Sequence, residues 1–225
     1  MSVVERVPEP QLMEEEDQAR AYASADFSEA HNTFVSKLRD SFTDVDMGEY
    51  VLDLGCGPGD VSIRFARAYA SCIVHGVDGS AVMLKYGEGL LEAAPDVRDR
   101  VELVQGMLPG AILPRDEYDS VISNSLLHHL PDPQALWNSV TKYGRPGAPV
   151  FVMDLTRPAS RQEARNLVET YSRDEPAVLH RDFFNSLMAS FTIDEISEQL
   201  DSANLSMLAI EKISDRHVVI SGRKP

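Results

Sequence analysis

The sequence predicts an α/β fold in which a mostly parallel sheet lies between layers of helix. Three observations carry that expectation. The first is the run Val51-Leu52-Asp53-Leu54-Gly55-Cys56-Gly57-Pro58-Gly59-Asp60, an apolar strand with one acid that empties into three glycines at alternate positions. The second is a strict alternation of strand-like and helix-like patterns from residue 48 to residue 155, the signature of parallel strands joined by helical crossovers. The third is a pair of short extended runs at the C-terminal end that reads as an antiparallel hairpin. With 225 residues, 43% hydrophobic and 25% charged, the composition suits one globular unit with a large core.

Residues 1–10, with Pro8 and Pro10, read as a loose tail. A first helix is expected over 11–23. Asp26 and Glu29 suggest a capping box for a second helix, whose apolar face is Phe34, Val35, Leu38 and Phe42. Residues 1–47 thus form an N-terminal tail and helical cap. Gly48 breaks the chain before the first strand, 50–54. The helix after the glycines presents Val61, Phe65 and Tyr69 on one face, and the second strand covers 72–78. Ser80 caps the following helix, which runs to about residue 93. Strands are expected over 101–105 and 118–123. Asp132 and Pro133 form an N-cap and N1 pair for a helix through Tyr143, and the turn 144–147 leads to a fifth strand over 148–155. The pattern then changes. Two helices, carrying Leu167, Val168 and Tyr171, then Phe183, Phe184, Leu187 and Phe191, make a helical lid inserted at 156–191 within a ligand-binding unit of 48–225. Thr192 and Glu195 form a capping box for a further helix, which Asn204 ends in the left-handed conformation. Strands over 205–212 and 216–221 close the chain.

The formal net charge of −15 argues against nucleic acid and anionic membranes as partners, because both demand a basic surface. Residues 1–50 hold twelve acids and four bases, about half of that excess. No apolar run reaches the roughly 20 residues of a membrane span, and the acidic N-terminus lacks an apolar signal core. Cys56 and Cys72 read as reduced thiols in a cytoplasmic protein, and neither their spacing nor the adjacent histidines His128 and His129 make a metal motif. The expected assembly is a monomer or homodimer.

The glycine spacing narrows the ligand. A dinucleotide fingerprint reads G-x-G-x-x-G; here the pattern is G-x-G-x-G, with Asp60 where the third glycine of that fingerprint would stand. An acid at a helix N-terminus suits the helix dipole but repels a pyrophosphate. The loop therefore fits a nucleoside without phosphate and with some positive charge, such as S-adenosyl-L-methionine. The run 51–60 resembles motif I of the class I S-adenosylmethionine-dependent methyltransferases, including its Gly-Cys-Gly-Pro-Gly wording. Residues 78–84 are similar to that family's D-x-S-x-x-M-L run, and residues 123–130 to its S-x-x-L-H-H-L segment. The resemblance covers 48–155 well, 192–222 in pattern only, and the rest hardly at all. It implies a Rossmann-like three-layer sandwich with a seven-stranded sheet in the order 3-2-1-4-5-7-6.

Asp78, nineteen positions after Gly59 at the end of the second strand, is placed to accept hydrogen bonds from ribose hydroxyls. The resemblance further implies that Gly55, Cys56, Gly57, Gly59 and Gly79 shape the cofactor seat and that Met83 packs near adenine. It also implies that Asp53 holds the loop and the methionine amino group, and that Asn124 and Ser125 touch the methionine end. One departure stands out: the family's Gly-Asp after strand three is Gly106-Met107 here, and a thioether cannot replace the acid as an acceptor for the adenine amino group.

Methyl transfer from a sulfonium is an in-line displacement, so alignment and desolvation matter more than a base. His128 is the expected residue facing a small-molecule acceptor, with His129 supporting the loop. Further acceptor contacts are expected from Tyr22, Phe27 and His31 in the N-terminal helices and from Asp154, Arg157 and Asp182 at the insertion. An aminopropyltransferase remains open, although Ser123, Asn124 and Ser125 are neutral where such an enzyme needs carboxylates. Other S-adenosylmethionine chemistry on the same fold and a non-catalytic cofactor-binding protein also remain open; a nicotinamide oxidoreductase is disfavoured by Asp60.

Overall fold

The computed structural model describes residues 4–14, 16–43 and 45–225. Two helices, α1 (Glu16–Ser24) and α2 (Ser28–Ser41), precede β1 (Tyr50–Leu54), α3 (Asp60–Ala68), β2 (Ile73–Asp78), α4 (Ala81–Glu92) and β3 (Val101–Gln105). Then come β4 (Ser120–Asn124), α5 (Gln134–Tyr143), β5 (Pro149–Leu155), the inserted pair α6 (Arg161–Tyr171) and α7 (Ala177–Ala189), α8 (Ile193–Ser202), β6 (Ala209–Lys212) and β7 (His217–Arg223). The sheet order is β3-β2-β1-β4-β5-β7-β6, as expected. Strands β1 to β5 run parallel, whereas β7 pairs antiparallel with both β5 and β6, so the sheet is mixed.

Burial explains the strand patterns. All seven residues of β5 and the last four of β1 are buried, as near-continuous apolar strands must be when helices cover both faces. One face packs Trp137, Leu136 and Val140 of α5 with Ile196 and Leu200 of α8. The other packs Phe34 of α2 and Phe65 of α3 against Phe151, with Phe34 meeting Phe151 edge-on at 5.0 Å. Each such buried ring contributes roughly 1.5–3 kcal/mol. Trp137 donates its indole N–H to Gln199 Oε1 at 3.0 Å, so a buried polar pair ties α5 to α8.

Several local expectations change. The first helix begins at Glu16 rather than near residue 11. The Asp26–Glu29 capping box does not form; Phe27 takes the cap position and Asp26 instead accepts from Ser28 N at 2.9 Å. Pro133 occupies the cap position of α5, although Asp132 still accepts from Gln134 N. The Thr192–Glu195 capping box and the left-handed Asn204 (φ 57°) are both present. The tail is not loose where it is described, its residues 1–3 lying outside that range. Val7 N donates to Met188 O at 3.0 Å, and Arg6 stacks over Phe191 at 3.9 Å while its guanidinium reaches the carbonyls of Ala189, His128 and Leu130. Residues 4–14 therefore form a strap between the inserted helices and the C-terminal edge of the sheet.

Candidate active site

The chain runs outward in one direction through β1, β2 and β3 and returns to build β4 and β5 on the other side of β1. The loops leaving β1 and β4 therefore part, and a crevice opens between them at the C-terminal ends of the strands. A cavity of about 590 Å³ occupies that place. Its floor is the glycine loop and the end of β2, its far wall the segment after β4, and its roof the strap, α1, α2 and the insertion.

The glycine loop has the backbone that its residues predict. Gly55, Gly57 and Gly59 take φ of 70°, 53° and 79°, conformations that a side chain strains. A Cβ on Gly55 would stand 2.6 Å from Leu126, whereas one on Gly57 would meet only Met83 Cε at 3.5 Å and otherwise project over the cavity floor. Gly59 differs from expectation. It is not part of the cavity wall; its bare Cα lets Leu103 of β3 pack closely at the start of α3.

Asp78 closes β2 with its carboxylate on the loop, accepting from Gly57 N at 2.9 Å and from Ser80 N at 2.8 Å. Burial holds its pKa above the ordinary carboxylate value despite those two bonds. Asp53 is almost wholly buried and accepts from Ser62 Oγ at 2.5 Å. Burial pushes its pKa up to about 7, only partly opposed by that hydrogen bond. Cys56, buried with its thiol held well toward the neutral form, lines the same floor. Met83, Gly79, Gly106 and Met107 line the far end, where Leu12 of the strap and Met107 converge over Gly79. Across the crevice Ser125 adopts a left-handed φ of 55°, and Asn124, which lines the cavity, has a buried Oδ1 with no hydrogen-bond partner among the described residues.

Asp60 is less bare than the sequence suggests. It accepts from His31 Nδ1 at 2.5 Å and from Arg64 Nε at 2.6 Å. Burial alone would raise its pKa, but those two partners hold it low. His31 thus lines the cavity while anchoring α2 to α3. Tyr22 and Phe27 pack with their rings tilted 37° at 4.7 Å between centres and form an aromatic wall with it. Burial raises the Tyr22 phenol to about 12, so it acts as a hydrogen-bonding group and not as a base near neutrality.

His128 and His129 end the β4 segment in a short 3₁₀ turn, Leu127–His129. His128 Nδ1 donates to Asp154 Oδ1 at 2.5 Å, which fixes the tautomer, and Asp154 also accepts from the backbone N–H groups of Leu127 and Leu155. Burial disfavours the imidazolium of His128, but Asp154 and Glu9 outweigh it and raise the pKa. Its neighbour behaves oppositely: burial and the adjacent His128 push His129 down to about 3. The two rings lie 4.2 Å apart.

Two expected acceptor residues stand outside the cavity. Asp154 sits behind His128 and acts through it. Arg157 is buried against α8, donating to Ser190 O and pairing with Glu195 at 2.6 Å, because its position just past β5 turns it under the insertion. Asp182 does line the cavity and accepts from Gln18 of α1 at 2.9 Å. The sequence does not mark Glu9. It places Oε1 3.2 Å from His129 Nδ1 and 3.6 Å from His128 Nε2, and Ser186 Oγ donates to it at 3.0 Å. No local pattern reveals it, since an acid in a proline-bearing tail is commonplace; only the 119-residue reach to His128 makes it part of the site.

Comparison with known proteins agrees with this geometry. Residues 51–147 match the family model described as a methyltransferase domain. The chain is 33% identical over 121 residues to a probable fatty acid methyltransferase of Pseudomonas putida, a stretch covering 51% of this chain and 30% of that protein. Across the first curated relatives it matches, the chain spans only 25–44% of their length. Among solved structures, a SAM-dependent methyltransferase from Aquifex aeolicus shares the fold at a TM-score of 0.68 and 13% identity, covering 95% of this chain and 100% of that one. Phosphoethanolamine N-methyltransferase 2 of Haemonchus contortus, solved with phosphomonomethylethanolamine and S-adenosylhomocysteine, does so at 0.67 and 16%, covering 93% and 57%. Fold and matched domain together bear out the resemblance to the class I S-adenosylmethionine-dependent methyltransferases.

Proposed function

We propose that this chain, which carries a methyltransferase domain over residues 51–147 on the class I fold, transfers the methyl group of S-adenosyl-L-methionine to a small-molecule acceptor. The observation that carries the reading is the pairing of Asp78 with the glycine loop across from the unsatisfied Asn124 Oδ1, at the point where the sheet reverses direction. The residues present fit the cofactor. Asp78 offers carboxylate oxygens for ribose hydroxyls, and the low floor at Gly55 and Gly57 admits a ligand to the backbone. Asn124 Oδ1 and Asp53 offer acceptors for an ammonium group, and Met83, Met107 and Leu12 offer apolar surface for a purine. With no carboxylate at position 107, purine recognition falls to backbone groups around Gly106. Bound there, S-adenosylmethionine supplies a methyl group on a positively charged sulfur that leaves as a neutral thioether.

The protein's own part is to align and to exclude water. Tyr22, Phe27 and His31 roof the reacting end, and Glu175 and Asp182 are acidic groups on the insertion side. His128, oriented by Asp154, and His129 face the acceptor's attacking group. The helical roof over the cavity supports a small acceptor rather than a polymer, and the net charge of −15 disfavours nucleic acid. Among the described residues, no helix is long and apolar enough to cross a membrane. Two buried, unpaired thiols support a cytoplasmic setting.

Thermal unfolding with added nucleotides checks the cofactor. S-adenosylmethionine should raise Tm and NAD should not; silence from both would end the proposal. Incubation with methyl-labelled cofactor and a small-molecule extract should then label a product of low mass.

A further inference from the structure

Glu9, His128 and His129 converge without forming an ordinary hydrogen-bonded triad. Glu9 Oε1 stands 3.2 Å from His129 Nδ1 and 3.6 Å from His128 Nε2, the latter beyond hydrogen-bond length, and one donor atom from each residue falls within 4.8 Å of the others. Two ligands held about 2.1 Å from one ion stand about 3.0–3.5 Å apart in octahedral or tetrahedral geometry. The 3.2 Å separation falls inside that range and the 3.6 Å one just beyond it. We propose that these three side chains bind a divalent first-row transition-metal ion at the acceptor end of the cavity.

Four features beyond proximity point the same way. His128 presents Nε2 because its Nδ1–H is engaged by Asp154, and Asp154 is itself held by two backbone N–H groups. That carboxylate–imidazole arrangement behind a donor nitrogen is how metal-ligating histidines are oriented. Glu9 is not a dangling end: the strap around it is pinned by Arg6 and Val7, and Ser186 holds the same carboxylate oxygen. Three carboxylates, Glu9, Asp154 and Asp182, act on this spot; among the described residues the cations beside them are Arg6 and Arg181, the latter paired with Asp182. Finally, both histidines line the cavity, so coordination positions remain open toward it. Two imidazoles and one carboxylate favour iron, cobalt, manganese or zinc over magnesium or calcium, which take oxygen ligands.

Resting on the methyl-transfer reading, the open positions suit an acceptor that offers two neighbouring oxygens, a hydroxyl beside a carboxylate or a second hydroxyl. Metal binding itself does not rest on that reading. The probe is Co(II) added to chelator-treated, full-length protein, followed by its visible absorption and by the metal content after dialysis. One equivalent should bind. Glu9→Gln, in the strap and outside the core, and His129→Asn should each weaken binding at least tenfold, with unfolding temperatures near that of the unaltered protein. Absence of a stoichiometric Co(II) spectrum, or weakening of less than tenfold in both variants, overturns the site. S-adenosylmethionine binding measured on the metal-free protein separates the two claims, since the glycine loop and Asp78 contribute no ligand to the ion.

Discussion

The two halves of the cavity are built by different means. The half we propose for the cofactor consists of strand ends and the turns that leave them: Gly55 and Gly57 after β1, Asp78 at the end of β2, Asn124 and Ser125 after β4. Its contacts bridge neighbouring strands, and its backbone is set by a sheet buried on both faces. The acceptor half is assembled from the strap, α1, α2 and α7, joined by bonds such as Gln18 to Asp182 and Glu9 to Ser186 that link residues 164 and 177 positions apart. The first half is a consequence of the fold; the second is laid over it.

That division can be broken by substitution. The largest effect is expected for Gly57→Val, which puts branched carbons over the cavity floor in a left-handed conformation. S-adenosylmethionine affinity should fall by at least about 100-fold, about 2.7 kcal/mol, in a calorimetric titration. Asp78→Asn keeps the shape but removes the charge, and affinity should fall about 10–100-fold. Neither variant should change acceptor selectivity; a changed product profile would dissolve the boundary between the halves.

Asp53 sharpens the comparison through pH. Its pKa is raised from 3.8 to about 7 in the folded protein, so the native state keeps a proton that the unfolded chain has released. Stability from this group is therefore complete below about pH 4 and is lost as pH rises toward about 7. Relative to Asp53→Asn, the unaltered protein should lose roughly 3 kcal/mol of unfolding free energy across that window, read from denaturant titrations at several pH values. A parallel pH dependence in both proteins would show that Asp53 is already ionised in the fold. The smallest effect belongs to the cover: Gln18→Ala removes one bond to Asp182, about 1 kcal/mol or less. The acceptor's KM should rise a few-fold while cofactor affinity stays unchanged.

The same contrast explains what could be read from the sequence. The strands, the glycine loop, Asp78 and the Ser80 and Thr192 caps were legible because each is specified by residues within a few positions of itself. The sequence marks Asp154 but not its place, because only the packed sheet reveals that it stands behind His128. Arg157 was misplaced because a charged residue past a strand end points as readily under an insertion as into a cavity. Gly59, expected at the ligand, answers instead to its left-handed backbone at the start of α3 and to the close passage of Leu103, a partner more than forty residues away. Glu9 was invisible, since a tail acid gains its role only when the chain end returns to the sheet. The Asp26–Glu29 spacing carried a capping signal that Phe27 displaced, where the short connection from α1 dictates the entry to α2.

Hydrogen exchange along the chain, with and without S-adenosylmethionine, tests the seat of the cofactor most directly. Added ligand should slow exchange at 55–60, 78–83 and 124–129 and leave β6 and β7 unchanged. Binding without protection at the glycine loop, or protection confined to the inserted helices, would contradict the placement of the cofactor between β1 and β4.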